Sequence, residues 1–208
     1  MTKVKSGKII QKLRQYYGKT AADLSYANIY QLAIAVVLSA QTTDKQVNLV
    51  TKSLFKKYPD FQKLAKAKIH EVELIIKSVG LYKTKARNII NLSKEVALKY
   101  KNILPDDFDE LIKLPGVGRK SANVILAMGF DKPAFPVDTH ILRIANRVGY
   151  IQSPDPFKVE KILSHFIPKE DWKDAHLLFI KHGRKICTAR KPYCMECPIA
   201  KYCDYVCV

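Results

Sequence analysis

The sequence predicts an all-α protein. Apolar residues recur at three- and four-residue spacing along most of the 208-residue chain, and no stretch alternates with the period of two that a half-buried strand needs. Residues that start and stop helices bracket those apolar segments.

Taken in order, a first amphipathic helix is predicted over 8–17, carrying Ile9, Ile10, Leu13, Tyr16 and Tyr17 and capped by Gly18. Asn28 can cap a nearly continuous apolar segment, 29–38, and a helix that is apolar on all sides belongs in a core. A helix with Val47, Leu49, Val50, Leu54 and Phe55 ends before Pro59, and Asp60 opens a short one with Phe61 and Leu64. Another short helix, about 70–77, is closed by Gly80, and a long one spans 82–100 with Ala86, Ile89, Ile90, Val96 and Ala97. Two more are predicted over 108–114 and 121–128. A stripe of Ile141, Leu142, Ile144, Ala145 and Val148 ends at Gly149, Pro156 opens the next helix, and the last long one covers about 170–184.

A chain of this length buries a real core, as one large domain or two lobes. With 36 Lys+Arg against 19 Asp+Glu its formal net charge is +17, the balance of a folded protein that binds a polyanion. No apolar run approaches the roughly 20 residues of a membrane span, so a membrane role is not expected. The basic start has no signal-peptide core, and an intracellular location keeps thiols reduced. Five cysteines, all within 187–207, therefore point to a metal site before disulfides.

The stretch Leu114-Pro115-Gly116-Val117-Gly118-Arg119-Lys120-Ser121-Ala122 organises the rest. Pro115 cannot continue a helix, and Gly116 and Gly118 can both take φ > 0, so a hairpin turns there. Its backbone N–H groups, at the start of a helix, suit one phosphate, although a plain helix connector has the same composition. Lys120 follows on the first turn, where the positive helix end and partial burial would destabilise the ammonium and make the amine a nucleophile.

Cys187-x6-Cys194-x2-Cys197-x5-Cys203 gathers four thiolates, a donor set for zinc or an iron–sulfur cube. Only one pair has the tight spacing usual in structural zinc sites, which favours a cluster such as [4Fe-4S]. Cys207 is left over and reads as structural or incidental. Arg190 and Lys191 lie inside the cysteine loop, placed either for a phosphate backbone or for general solvation. Asp138 stands where a helix begins, so it reads first as an N-cap; a carboxylate near a neutral lysine could also take its proton and stabilise a cationic sugar. His140 reads as packed or capping, and His182 as surface or adjacent to the cysteine site.

Together, Leu38-Ser39-Ala40-Gln41-Thr42, Val79-Gly80-Leu81-Tyr82, the hairpin, Val137-Asp138-Thr139-His140 and the four cysteines cover nearly the full length of the chain. In this combination the sequence resembles the endonuclease III family of DNA glycosylases, within the helix-hairpin-helix superfamily. The resemblance implies a helix-hairpin-helix glycosylase fold of two helical lobes with a cleft between them. A six-helix domain would span 21–132, and an iron–sulfur domain would comprise 1–20 plus 133–208. It implies a bifunctional DNA glycosylase and AP lyase of base excision repair that removes damaged, oxidised pyrimidines through a Lys Schiff base and cleaves 3′ to the abasic site. Lys120 would be the nucleophile and Asp138 its acidic partner, and Cys187, Cys194, Cys197 and Cys203 would bind a [4Fe-4S] cluster. Gln41 and Leu81 would wedge into the duplex, with Gly116, Gly118, Arg119, Arg190 and Lys191 on DNA.

The implied partner is double-stranded DNA with damaged bases or abasic sites, bound by a monomer in a prokaryotic cytoplasm, nucleoid-associated through DNA. Ser121 departs from the Thr of some relatives and keeps the hydroxyl. The adenine- and thymine-mismatch branches of the superfamily generally lack a lysine at the position of Lys120. A non-catalytic DNA-binding or redox-sensing module would have no need of Lys120 and Asp138.

Overall fold

The structure, a computed structural model, describes residues 1–205; Cys207 lies outside the described residues. Among them the α-helices are α1 (Lys3–Tyr17), α2 (Ile29–Ser39), α3 (Asp44–Lys57), α4 (Phe61–Ala65), α5 (Ile69–Ile75), α6 (Tyr82–Lys99), α7 (Phe108–Leu111), α8 (Arg119–Gly129), α9 (Thr139–Val148), α10 (Pro156–Phe166) and α11 (Trp172–Lys185). Short 3-10 turns occupy Lys169–Asp171, Cys194–Glu196 and Ala200–Tyr202, and no strand occurs among the described residues. None of the described helices is long and apolar enough to cross a membrane. The chain forms two compact units, Ala22–Lys132, and Met1–Ala21 together with the described part of Pro133–Val208.

The unit Ala22–Lys132 is built around α2. Tyr30 and every residue from Leu32 to Leu38 are buried, and α3, α6 and α8 pack against them. Asn28 starts the helix by accepting the N–H of Gln31 at 3.0 Å, and Asp60 caps α4 in the same way through Lys63 at 2.7 Å. The long α6 backs onto α4 and α5. The helix before the hairpin is shorter than expected, ending at Leu111, because residues 111–117 tighten into i→i+3 turns (Leu114 N–H to Leu111 O, 3.1 Å; Val117 N–H to Leu114 O, 3.0 Å). Conversely α8 starts at Arg119, two residues earlier than the apolar pattern indicates, since its first turn is polar and exposed.

In the other unit, Ile9, Ile10 and Leu13 of α1 share a core with Phe135, Ile141, Ile144, Val148, Val159, Leu163 and Phe179. Helix α1 begins at Lys3, five residues before the expected start, with Thr2 accepting the N–H of Lys5 at 3.1 Å. Arg14 Nε pairs with Asp174 and Nη2 with Asp171, each at 2.8 Å. Half-exposed pairs of this kind contribute roughly 0–1 kcal/mol each, so burial of the apolar face dominates the docking of α1 on α11.

Candidate functional site

At the hairpin, Gly116 has φ 81°, where an L-residue is strained. A Cβ there would also stand 3.0 Å from Val37 Cγ1 and from Asn88 Cβ, so the turn is pressed against α2 and α6. Gly118 differs from expectation: its φ of −94° and ψ of 178° are extended, and nothing lies within 4 Å of where its Cβ would be. It is the N-cap of α8, and with no side chain of its own it leaves the helix N-terminus open to a close-approaching anion. Lys120 is the second residue of α8 and is exposed, so the expected partial burial is absent. Arg119 is exposed beside it, with its guanidinium carbon 4.9 Å from the centroid of the Phe108 ring.

Gln41 and Leu81 both lie in this unit and both carry positive φ, 53° and 57°. Left-handed backbone at a non-glycine residue is uncommon, and at an exposed leucine it marks a position held by its surroundings. Leu81 is 64% exposed and is the N-cap of α6. Gln41 is exposed at the third position of a turn in which Ala40 has φ −56° and ψ 118° and Thr42 N–H returns to Ser39 O at 3.1 Å. That is a type II turn with glutamine where glycine is usual. Lys85 holds it from beneath, a residue the sequence reading missed. Its position four, seven and eleven residues before Ile89, Leu92 and Val96, all buried on α6, was the available signal.

Asp138 lies in the other unit as the N-cap of α9. Its Oδ1 accepts the N–H of Ile141 at 2.8 Å, so the capping role is real and the second carboxylate oxygen is not spent on it. His140 packs on Gly183, whose Cβ would come within 2.8 Å of the His140 Cβ. Two arginines one turn apart on α9, also missed, reach into the cysteine loop. Arg143 donates to Cys187 O at 3.0 Å and Gly183 O at 2.9 Å, and Arg147 to Thr188 O at 2.7 Å and Ala189 O at 2.9 Å. They fix the backbone that carries exposed Arg190 and Lys191. The Arg-x3-Arg spacing beside the apolar stripe of Ile141, Ile144, Ala145 and Val148 was legible as one face.

Cys187, Cys194, Cys197 and Cys203 line one cavity of about 150 Å³ together with Arg147, His182 and Ile199. Cys187, Cys197 and Cys203 are free thiols, and burial pushes those of Cys197 and Cys203 up. Cys194 is disulfide-bonded, and no three donors converge closely enough for a metal ion among the described residues. Three free thiols around one cavity, with Cys194 as the fourth once its disulfide is reduced, fit a thiolate-ligated group, whose binding would draw the four together as thiolates. His182 is not on the surface: it is 1% exposed, and burial pushes its ring down to about 4. The Tyr17 phenol, raised by burial, donates to the neutral ring's Nδ1 at 3.0 Å. That leaves Nε2–H directed at Cys197 Sγ, 3.6 Å away.

Residues 34–169 match the HhH-GPD superfamily of base excision DNA repair proteins, and residues 187–203 match the iron-sulfur binding domain of endonuclease III. The chain is 45% identical to endonuclease III of Rickettsia felis over 201 residues, 95% of this chain and 94% of that one. Against endonuclease III of Bacillus subtilis the identity is 43% over 195 residues, 93% and 89% of the two chains. In structure it is similar to a trapped endonuclease III–DNA covalent intermediate, with a TM-score of 0.94, 42% identity and coverage of 99% of this chain and 97% of that one. A thermostable thymine-DNA glycosylase shares the fold, with a TM-score of 0.87 at 24% identity. By sequence along nearly its whole length and by its hairpin and cysteine segments, the chain belongs to the endonuclease III family of the HhH-GPD superfamily.

Proposed function

We propose that this chain is a bifunctional DNA glycosylase and AP lyase of base excision repair, binding damaged duplex DNA as a monomer and removing oxidised pyrimidines. The observation that carries the proposal is the exposed amine of Lys120 on the first turn of α8, directly after a hairpin whose N–H groups can hold a phosphate. The trapped covalent DNA intermediate of the 42%-identical endonuclease III supports covalent chemistry of this kind.

In this reading the damaged nucleotide leaves the stack, which costs least where pairing is already weak. Neutral Lys120 Nζ attacks the sugar C1′, the C1′–N bond to the base breaks, and the base departs with its bonding pair and takes up a proton. Asp138 accepts the proton that Nζ sheds and stabilises the positive charge developing on the sugar. The C1′–O4′ bond then opens, O4′ leaving with the bonding pair and taking up a proton, and the resulting iminium at C1′ acidifies C2′. Loss of a C2′ proton and departure of the 3′ phosphate oxygen cut the strand, and water hydrolyses the imine to free Lys120. Gln41 and Leu81 fill the space the nucleotide left, and Gly116, Gly118 and Arg119 bind the backbone beside it.

Cys187, Cys194, Cys197 and Cys203 would hold a [4Fe-4S] cluster, which supplies iron–thiolate cross-links across their loop. Arg143 and Arg147 support the same loop from α9, and Arg190 and Lys191 set their charges against phosphates. A duplex with a single thymine glycol tests the proposal. Base release followed by a strand end bearing an unsaturated aldehyde is expected; base release with an intact strand would remove the lyase step.

A further inference from the structure

Lys85 is a buried lysine that the mechanism above does not use. It is 4% exposed, and burial pushes its ammonium down. Even so its three donors are matched: Nζ lies 2.9 Å from Leu38 O, 2.5 Å from Ala40 O and 2.8 Å from Thr42 Oγ1. The first acceptor belongs to the last turn of α2, whose C-terminal carbonyls favour a cation. The second is the carbonyl of the peptide that joins Ala40 to Gln41. Types I and II turns differ by a flip of that peptide, and in type I the third residue has negative φ. An ammonium gripping Ala40 O therefore selects the type II form and with it the positive φ of Gln41.

The same residue reaches the second loop through its main chain. Lys85 N–H donates to Leu81 O at 3.0 Å, closing the first turn of α6 on the left-handed Leu81. The two loops also touch directly. A Cβ on Gly80 would lie 3.5 Å from Gln41 O, and Gln46 Nε2 donates to Ser78 Oγ at 2.5 Å.

We infer that Lys85 is a positioning residue for damage recognition: it locks the Ala40–Gln41 peptide and so registers the Gln41 and Leu81 tips as one two-pronged wedge. The inference rests on the reading that Gln41 and Leu81 enter the duplex. Loss of Lys85 frees the peptide to flip, redirecting Gln41 while leaving the phosphate-binding residues untouched. Discrimination of an abasic gap from intact duplex falls; affinity for intact duplex does not.

The test uses cluster-loaded full chain and two duplexes, one intact and one with a tetrahydrofuran abasic analogue opposite 2-aminopurine. Wild type, Lys85→Met, Thr42→Ala, Gln41→Ala and Leu81→Ala are compared by affinity for each duplex and by 2-aminopurine fluorescence, which rises as the opposing base is unstacked. Gln41→Ala and Leu81→Ala are expected to lose the fluorescence rise. Lys85→Met is expected to lose it too, with abasic-over-intact preference down about tenfold and intact-duplex affinity unchanged. Thr42→Ala, missing one acceptor, shifts the same way by less. If the Gln41 and Leu81 variants keep the wild-type signal, the wedge reading itself fails. If they lose it while Lys85→Met keeps it, or if Lys85→Met weakens both duplexes equally, the positioning role is overturned. Should Lys85→Met not fold, Thr42→Ala decides: a reduced preference supports the role and a wild-type preference overturns it.

Discussion

The two hairpin glycines make opposite demands, and replacing each by alanine separates fold from DNA contact. At Gly116 an alanine must hold φ 81°, which costs about 1–2 kcal/mol. It must also fit a methyl 3.0 Å from Val37 Cγ1 and Asn88 Cβ, overpacking worth about 1–3 kcal/mol. Alanine recovers about 0.4–1 kcal/mol by stiffening the unfolded chain. The net loss for Gly116→Ala is therefore about 1–5 kcal/mol, or a Tm lower by about 6–12 °C near the middle of that range. At Gly118 the backbone is already extended and the methyl meets open space. Alanine is a poorer N-cap than glycine, which offsets the gain in the unfolded chain, so stability stays within about 1 kcal/mol. Its methyl does obstruct an anion approaching the start of α8, and losing one charge-assisted hydrogen bond weakens DNA binding by about tenfold. Thermal unfolding and fluorescence anisotropy on an abasic-analogue duplex measure the two effects. Equal stability losses would refute the conformational argument, and wild-type DNA affinity in Gly118→Ala would refute the phosphate approach.

Three further outcomes follow from the structure. Asp138→Asn keeps an equally good cap for α9 and its native stability, whereas Asp138→Ala loses about 1 kcal/mol. Both lose about 10²–10⁴-fold in single-turnover lyase rate if the carboxylate is the proton acceptor, and a fully active Asn variant would leave Asp138 only its cap. Arg190→Ala combined with Lys191→Ala should flatten the slope of log affinity against log salt by about 1.8, two phosphate contacts' worth; an unchanged slope would make both general solvation. His182 is held neutral by burial, with its ring down at about 4 against an ordinary 6.5. The unfolded chain takes up a proton first, so stability falls as pH drops from about 6.5 to about 4 and is independent of this group above that window. Its ring resonances in NMR should stay in the neutral form down to about pH 4, and a midpoint near 6.5 would contradict the buried placement.

Much of the fold was legible because the local signals agree with the packing. Ile29 to Leu38 is apolar at nearly every position, and the helix it forms is buried at Tyr30 and from Leu32 to Leu38. Asn28, Asp60, Gly18 and Gly149 end or start helices where their chemistry favours it. The beginning of α1 was hidden because Lys3, Val4, Lys5 and Gly7 carry little apolar periodicity; the helix is drawn on by the buried face that follows and by the Thr2 cap. At the hairpin, glycine content pointed to positive φ twice, but Gly118 serves by lacking a side chain and only Gly116 by its backbone. Lys120 was expected half-buried because a nucleophilic amine benefits from desolvation, yet a polar first turn leaves it exposed. Lys85 was overlooked for the reverse reason: among Lys83, Arg87 and Lys94 it reads as one more solvated cation despite its register with the buried face, and the turn it grips reveals what its charge is for. His182 shows the same limit, since the phenol that bonds its ring belongs to Tyr17, 165 residues away in sequence.

Borohydride trapping on a duplex with a single abasic site tests the central claim most directly, with wild type compared against Lys120→Ala. Reduction should fix the imine as a covalent protein–DNA adduct in the wild type. The variant, whose exposed position carries no packing, should fold and bind the same duplex and yield no adduct. An adduct of equal yield from Lys120→Ala would move the nucleophile elsewhere, and a folded, cluster-loaded wild type that gives none would contradict the lyase assignment.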